Sequence, residues 1–196
     1  MGNREDLLSG ARRCLEERGW ARTTVRDIAA ASGGVSMAAI GYHFGSREAL
    51  LNAALIEAID DWGTRLGRTL ASFGKADSSP AERYEAMWVA VIESFTADRT
   101  LWLATMEALV QAEHADDLRL YLAGGQAQGR QGLAALLRGA PENEVDAGAA
   151  RTLGAVQMAL FTGVMTQWLT DPGQAPTAAE VVTGLGALTG IVNAHE

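Results

Sequence analysis

One cysteine, Cys14, stands among the 196 residues. No disulfide framework and no cysteine-based metal site can therefore form within the chain. Its position in the first helical stretch predicts an inert core side chain. The three histidines, His43, His114 and His195, are too scattered to read as a metal-binding set, so no metal and no cofactor are expected. No run of about 18 apolar residues occurs, which argues against a transmembrane helix. The opening MGNREDLLSG lacks an apolar signal core, and position 6 is Asp rather than the Ser or Thr that N-myristoylation requires. A cytoplasmic protein is the expectation. Catalytic signatures are missing too: there is no GxSxG, HExxH, Walker loop or paired-carboxylate motif, so an enzyme is not expected. The glycine run from Gly184 to Gly190 has the wrong spacing for a nucleotide loop and no strand before it; it reads as small residues at a close helix contact.

Strand-like alternation is also absent. Apolar residues make up 48% of the chain and recur at three- and four-residue spacing, which predicts an all-α protein. The first helix is expected from Arg4 to Arg18, with Gly19 as its C-terminal cap. The second begins at a Thr24–Asp27 capping box and stops at Gly33-Gly34. The third is short, from a Ser36 cap to Phe44, with Val35 and Ile40 as its hydrophobic staple. Ser46 caps a long fourth helix. A loop near residues 74–80 follows. Further helices are expected at about 81–97, 100–113, 117–137 and 145–170, and a last one opens at Thr177. Residues 139–143 and Asp171-Pro172-Gly173 read as breaks.

The formal net charge is −8, which taken whole disfavours a nucleic-acid partner. Its distribution does not. Residues 1–47 hold seven arginines and five acidic residues, a balance of +2, while the remainder carries −10. A mildly basic head thus sits on an acidic body.

Within that head, two short helices joined by a glycine-containing turn form a helix-turn-helix, which places its second helix in the DNA major groove. Ile28, Ala29, Val35, Ile40 and Phe44 can pack inward on the first helix. Met37, Ala38, Ala39 and Gly41 are small or flexible enough for close approach to base edges. Thr24, Ser36 and Ser46 mark three helix N-termini, whose free amides favour phosphate. Two other fates are open to these residues. Tyr42 and His43 could pack on the first helix, and Arg26 could pair with Asp27 or Glu16.

The stretch TTVRDIAAASGGVSMAAIGYHFGSREALL resembles the N-terminal signature of the TetR family of bacterial transcription regulators. The resemblance is detailed over residues 5–55. It implies a helix-turn-helix DNA-binding domain at residues 1–47 and a helical ligand-binding and dimerisation domain at 48–196. It further implies a homodimer that binds a double-stranded DNA operator and is released by a small molecule. Thr24 and Ser36 match capping positions near phosphates. Arg26, Met37, Ala38 and Ala39 match positions near bases or backbone. Tyr42 and His43 match an aromatic pair that meets DNA, and Arg47 matches the basic residue opening the fourth helix. Two departures stand out. Met37 replaces a common Lys or Arg, and Gly41 replaces a common aromatic. Apolar contact with thymine methyls and groove shape would then carry more of the discrimination.

The helix at 145–170 carries two apolar stripes, where a surface helix of a monomer needs one. Val156, Leu160 and Val164, with Val181, Leu185, Leu188 and Val192 of the last helix, are the candidate dimer interface. Burial of both faces within one subunit is the alternative. Aromatic and methionine side chains suggest a cavity for an apolar or aromatic effector: Trp62, Trp88, Ile92, Phe95, Trp102, Met106, Met158 and Phe161. Glu107, inside an apolar stretch, is the candidate polar anchor, and Gln157 is a second. The reading is a DNA-binding transcriptional regulator, a repressor released by a small apolar ligand. The competing reading is an all-helical small-molecule-binding protein or adaptor without DNA-dependent regulation.

Overall fold

The computed structural model describes residues 3–72 and 79–194. Helices α1 (Asn3–Arg18), α2 (Val25–Ala31), α3 (Met37–Phe44), α4 (Arg47–Ser72), α5 (Pro80–Ala97), α6 (Arg99–Gln111) and α7 (Asp116–Arg138) come first. A short α8 (Ala147–Ala149), a π-helical turn (Ala150–Gly154), α9 (Ala155–Thr170) and α10 (Ala178–Asn193) complete the chain. No strand occurs among the described residues, and no described helix is long and apolar enough to cross a membrane. The loop expected at 74–80 lies mostly outside the described residues, as does His195.

The chain forms two compact units. The first comprises Met1–Arg65 with Asp98–Leu120, and the second Leu66–Ala97 with Tyr121–Glu196. The unit that holds the recognition helices therefore runs past residue 47, through most of α4, and takes in α6. Packing explains this. Leu7, Leu8, Ala11 and Leu15 of α1 share one core with Ile28, Ile40, the α4 residues Leu50, Leu51, Ala54 and Leu55, and the α6 residues Leu101, Ala104 and Ala108. The helix-turn-helix alone is too small to bury such a surface; α4 and α6 supply the rest. Where α1 and α2 cross, the buried Gly10 lets the backbones touch. A Cβ there would sit 2.1 Å from Ser32 Oγ and 2.9 Å from Ser32 N.

In the second unit α5 packs on both α9 and α10. Pro80 occupies the first helical position of α5, where its missing N–H costs nothing. The single helix expected over 145–170 is instead interrupted by the π turn at Ala150–Gly154. The turn ends at a close helix contact. A Cβ on Gly154 would lie 2.0 Å from the Arg130 carbonyl oxygen of α7. The long apolar α9 is buried at Gln157, Val164, Met165 and Leu169.

Candidate nucleic-acid interface

Thr24 opens α2 with a capping box. Its hydroxyl accepts from the Asp27 amide at 3.2 Å, and the Asp27 carboxylate accepts from the Thr24 amide at 2.9 Å. The same carboxylate pairs with Arg18 at 2.7 Å. Bonding to the Thr24 hydroxyl and amide, aided by the Arg18 charge, holds Asp27 below the usual carboxylate range. The α2–α3 turn then needs two successive left-handed residues, which Gly33 (φ 77°) and Gly34 (φ 86°) supply. Ser32 fixes the turn from inside, its hydroxyl donating to Ile28 O at 2.6 Å.

The inner side of α3 is held by buried Ile40, with Val35, Ala39 and Phe44 packed against the same core. The guanidinium of Arg4 lies 5.1 Å from the centre of the Phe44 ring. Opposite, Met37 is 50% exposed and Tyr42 86% exposed, with Ala38 and Gly41 also exposed. Tyr42 stands edge-on to the half-buried His43, ring centres 4.9 Å apart. The packing alternative thus fails for Tyr42. Ser36 occupies the N-cap of α3, but its side chain makes no capping bond, contrary to expectation. Its hydroxyl is exposed beside the first amides of α3. Ser46, by contrast, accepts from the Ala49 amide at 3.0 Å.

Two assignments change. Ala39 faces the core rather than the groove. Arg47 points inward: Nη2 donates to Trp20 O at 2.7 Å, Nε to Thr23 O at 2.5 Å, and Nη1 to Glu48 at 2.9 Å. It ties the start of α4 to the α1–α2 turn, because the last carbonyls of that turn have no helical partner and a guanidinium supplies a fork of donors. Arg26 moves the other way. Both partners considered for it are taken, Asp27 by Arg18 and Glu16 by Arg12. Of the seven arginines in residues 1–47, Arg26 alone has a side chain with no hydrogen bond, ion pair or ring contact among the described residues.

The nine side chains expected around a ligand divide between the units. Trp62, Trp102, Met106 and Glu107 belong to the first, and Trp88, Ile92, Phe95, Met158 and Phe161 to the second. Trp62 and Trp102 meet edge-on at 4.6 Å. Glu107 is no free anchor: its carboxylate accepts from the Ala21 amide at 3.0 Å, so α6 and Arg47 grip the same turn. That grip joins residues 86 positions apart, and no periodicity in the sequence signals it. In the second unit Phe95 and Phe161 meet at 5.3 Å, and Trp88 is fully buried.

Of the candidate dimer residues, Val164 and Val181 are buried within the protomer. Eight residues beyond Val156, Val164 has turned about 80° further round the helix axis, toward the core. Val181 lies in the first turn of α10, where that helix is buried. Leu160 and Leu185 are half-buried, while Val156, Leu188 and Val192 are 58%, 57% and 71% exposed.

Known proteins resemble the chain along most of its length. The family model described as bacterial regulatory proteins, tetR family, matches residues 7–54. That described as tetracyclin repressor-like, C-terminal domain, matches residues 79–190. The HTH-type transcriptional repressor AcnR of Corynebacterium efficiens is 32% identical over 96 residues, 46% of this chain and 47% of that protein. The match thus spans about half the length of that relative. A transcriptional regulator from Rhodococcus sp. Rha1 has the same fold at 21% identity, with a TM-score of 0.68 over 94% of this chain and 95% of that one. The multidrug binding protein EbrR, solved with imidazole, is 26% identical, with a TM-score of 0.63 over 93% of this chain and 88% of that one.

Proposed function

The chain belongs to the TetR family of bacterial regulatory proteins, and from that premise we propose that it is a homodimeric transcriptional repressor whose operator affinity falls when a small apolar molecule binds its second unit. The observation that carries the DNA-binding part is the solvent face of α3. Tyr42, Met37, Ala38 and Gly41 are presented outward while Ile40 anchors the same helix. Arg26 adds an uncommitted positive charge, and the Thr24 and Ser36 ends add phosphate-directed amides. Ser36, with its hydroxyl uncommitted, is the nearer match to a phosphate contact, and His43 contributes beside Tyr42. The adaptor reading gains no support from these features, since an adaptor has no use for an exposed, anchored α3.

The dimer part is supported by Val156 of α9 with Leu188, Ile191 and Val192 of α10, which leave an apolar surface on the second unit. Gly163, Gly184 and Gly186 have open space where a Cβ would stand, so helices of a second copy can approach closely. Two α9–α10 pairs would then form a four-helix bundle. The effector part rests on the apolar interior around Trp88, Phe95 and Phe161. A coupling of about 1–3 kcal/mol would weaken operator binding roughly 5- to 150-fold, provided the effector prefers one state.

The test is footprinting on DNA flanking the protein's own gene. A near-palindromic protected site is expected, with half-sites about 34–36 Å apart and affinity that falls steeply with salt. Tyr42→Ala is expected to weaken binding and leave thermal stability unchanged. Absence of any salt-dependent, sequence-preferring complex would sink the reading.

A further inference from the structure

The second unit buries polar groups where its fold gives no reason to. Trp88 is fully buried, and its indole N–H finds no acceptor among the described residues. Trp168 of the same unit shows the ordinary solution, its indole N–H donating to Pro176 O at 3.0 Å. A phenylalanine at position 88 would fill the same core without burying an unpaired donor, which is a costly group to leave unmade. Gln157 is also buried, and its Oε1 accepts from the Tyr84 hydroxyl at 2.7 Å. That bond fills one acceptor position of the amide's oxygen and leaves its NH2 group to donate. The Tyr84 ring meets Trp88 edge-on at 6.4 Å, so one tyrosine touches both groups. The unmatched buried donor is therefore the Trp88 N–H, and Tyr84 links it to the Gln157 amide, whose NH2 group can also donate.

Charge narrows the ligand further. Gln157 is the one polar side chain among the buried residues described for this unit, and no buried acid or base accompanies it. A charged ligand would be desolvated there without a counter-ion. The Met158 methyl fills the space left by Gly129, where a Cβ would sit 2.7 Å from it. Methionine is flexible enough to yield that volume to a ring.

We propose that Trp88 and Gln157 form the polar end of an effector site for a neutral, ring-bearing molecule with a hydrogen-bond-accepting carbonyl. The proposal rests on the ligand-responsive reading above for its biological sense, but its binding chemistry is tested separately. Three probes of one shape suffice, added to the full-length protein without DNA: acetylnaphthalene, ethylnaphthalene and naphthoate. Acetylnaphthalene is expected to bind about tenfold tighter than the other two, the equivalent of about 1.4 kcal/mol. It should move the indole N–H resonance of Trp88 downfield, with that resonance assigned by its loss in Trp88→Phe. Trp88→Phe should abolish the preference for the ketone and leave ethylnaphthalene binding unchanged; Trp168→Phe should preserve the preference. Should Trp88→Phe fail to fold, the wild-type resonance and the probe ranking decide. Equal binding of ketone and hydrocarbon, an unmoved Trp88 resonance, or no binding of any probe up to its solubility limit would overturn the site. Ketone binding that leaves an operator complex intact would instead overturn the regulatory reading and uphold the site. Operator release with no ketone preference would do the reverse.

Discussion

Two arginines of the head carry the same charge and do different work. Arg47 is mostly buried and bonded to two backbone carbonyls, whereas Arg26 is exposed and uncommitted. Arg47→Ala should therefore behave as a stability mutation. Losing two charge-assisted bonds to carbonyls is expected to cost about 2–3 kcal/mol and lower the Tm by several degrees. Operator binding by the folded fraction should keep its salt dependence. Arg26→Ala should leave the Tm unchanged and flatten the salt slope of binding by about one unit. Thermal melts beside salt-titrated binding isotherms separate the two. If Arg47→Ala flattens the slope at unchanged Tm, its side chain leaves the turn to meet phosphate.

At the level of elements, the recognition helix is placed by how closely its neighbours approach. Gly10 permits the α1–α2 contact against the Ser32 backbone. Gly10→Ala should destabilise the head by about 1–3 kcal/mol through overpacking, and weaken operator binding by displacing α2. Gly41, in the exposed middle of α3, has open space around it. Gly41→Ala should stabilise by up to about 1 kcal/mol in urea denaturation, because alanine is the better helix former. A destabilised Gly41→Ala protein would mean that α3 is not the free-standing surface described. The α2 cap adds a pH dependence. Asp27 titrates lower in the folded head than in the unfolded chain. Its contribution is therefore present above the unfolded value of about 3.9 and is lost as pH falls through the folded value. Urea denaturation from pH 6 to pH 3 should show this acid limb in the wild type and a shallower one in Asp27→Asn.

For the whole molecule, dimerisation should depend on side chains that the protomer leaves outside. Leu188→Glu should leave a folded monomer and cost the dimer several kcal/mol, since it puts an unpaired charge in the contact. Sedimentation at micromolar concentration reads this directly. Val164→Glu should instead unfold the second unit, because Val164 is buried within one chain. A wild-type protein that sediments as a well-folded monomer would remove the dimer.

Most of the helices and the recognition motif are written in local sequence signals. Thr24–Asp27, Gly33-Gly34, Ser46 and Thr177 are local signals, spanning four residues or fewer, and local chemistry is enough to start or stop a helix. The helix-turn-helix was legible for the same reason, down to the outward Tyr42. Which side chains stay free depends instead on packing between distant segments. Arg26 and Arg47 look alike in sequence, yet the carbonyls of Trp20 and Thr23 claim one and not the other. Glu107 was spent on an amide 86 residues away, and Val164 was turned inward by the pitch of α9. Such fates follow from distances between segments remote in the chain, which helical periodicity does not encode. The boundary of the first unit follows the same rule: α6 joins it because the α1 core needed more apolar cover than its own neighbours provide.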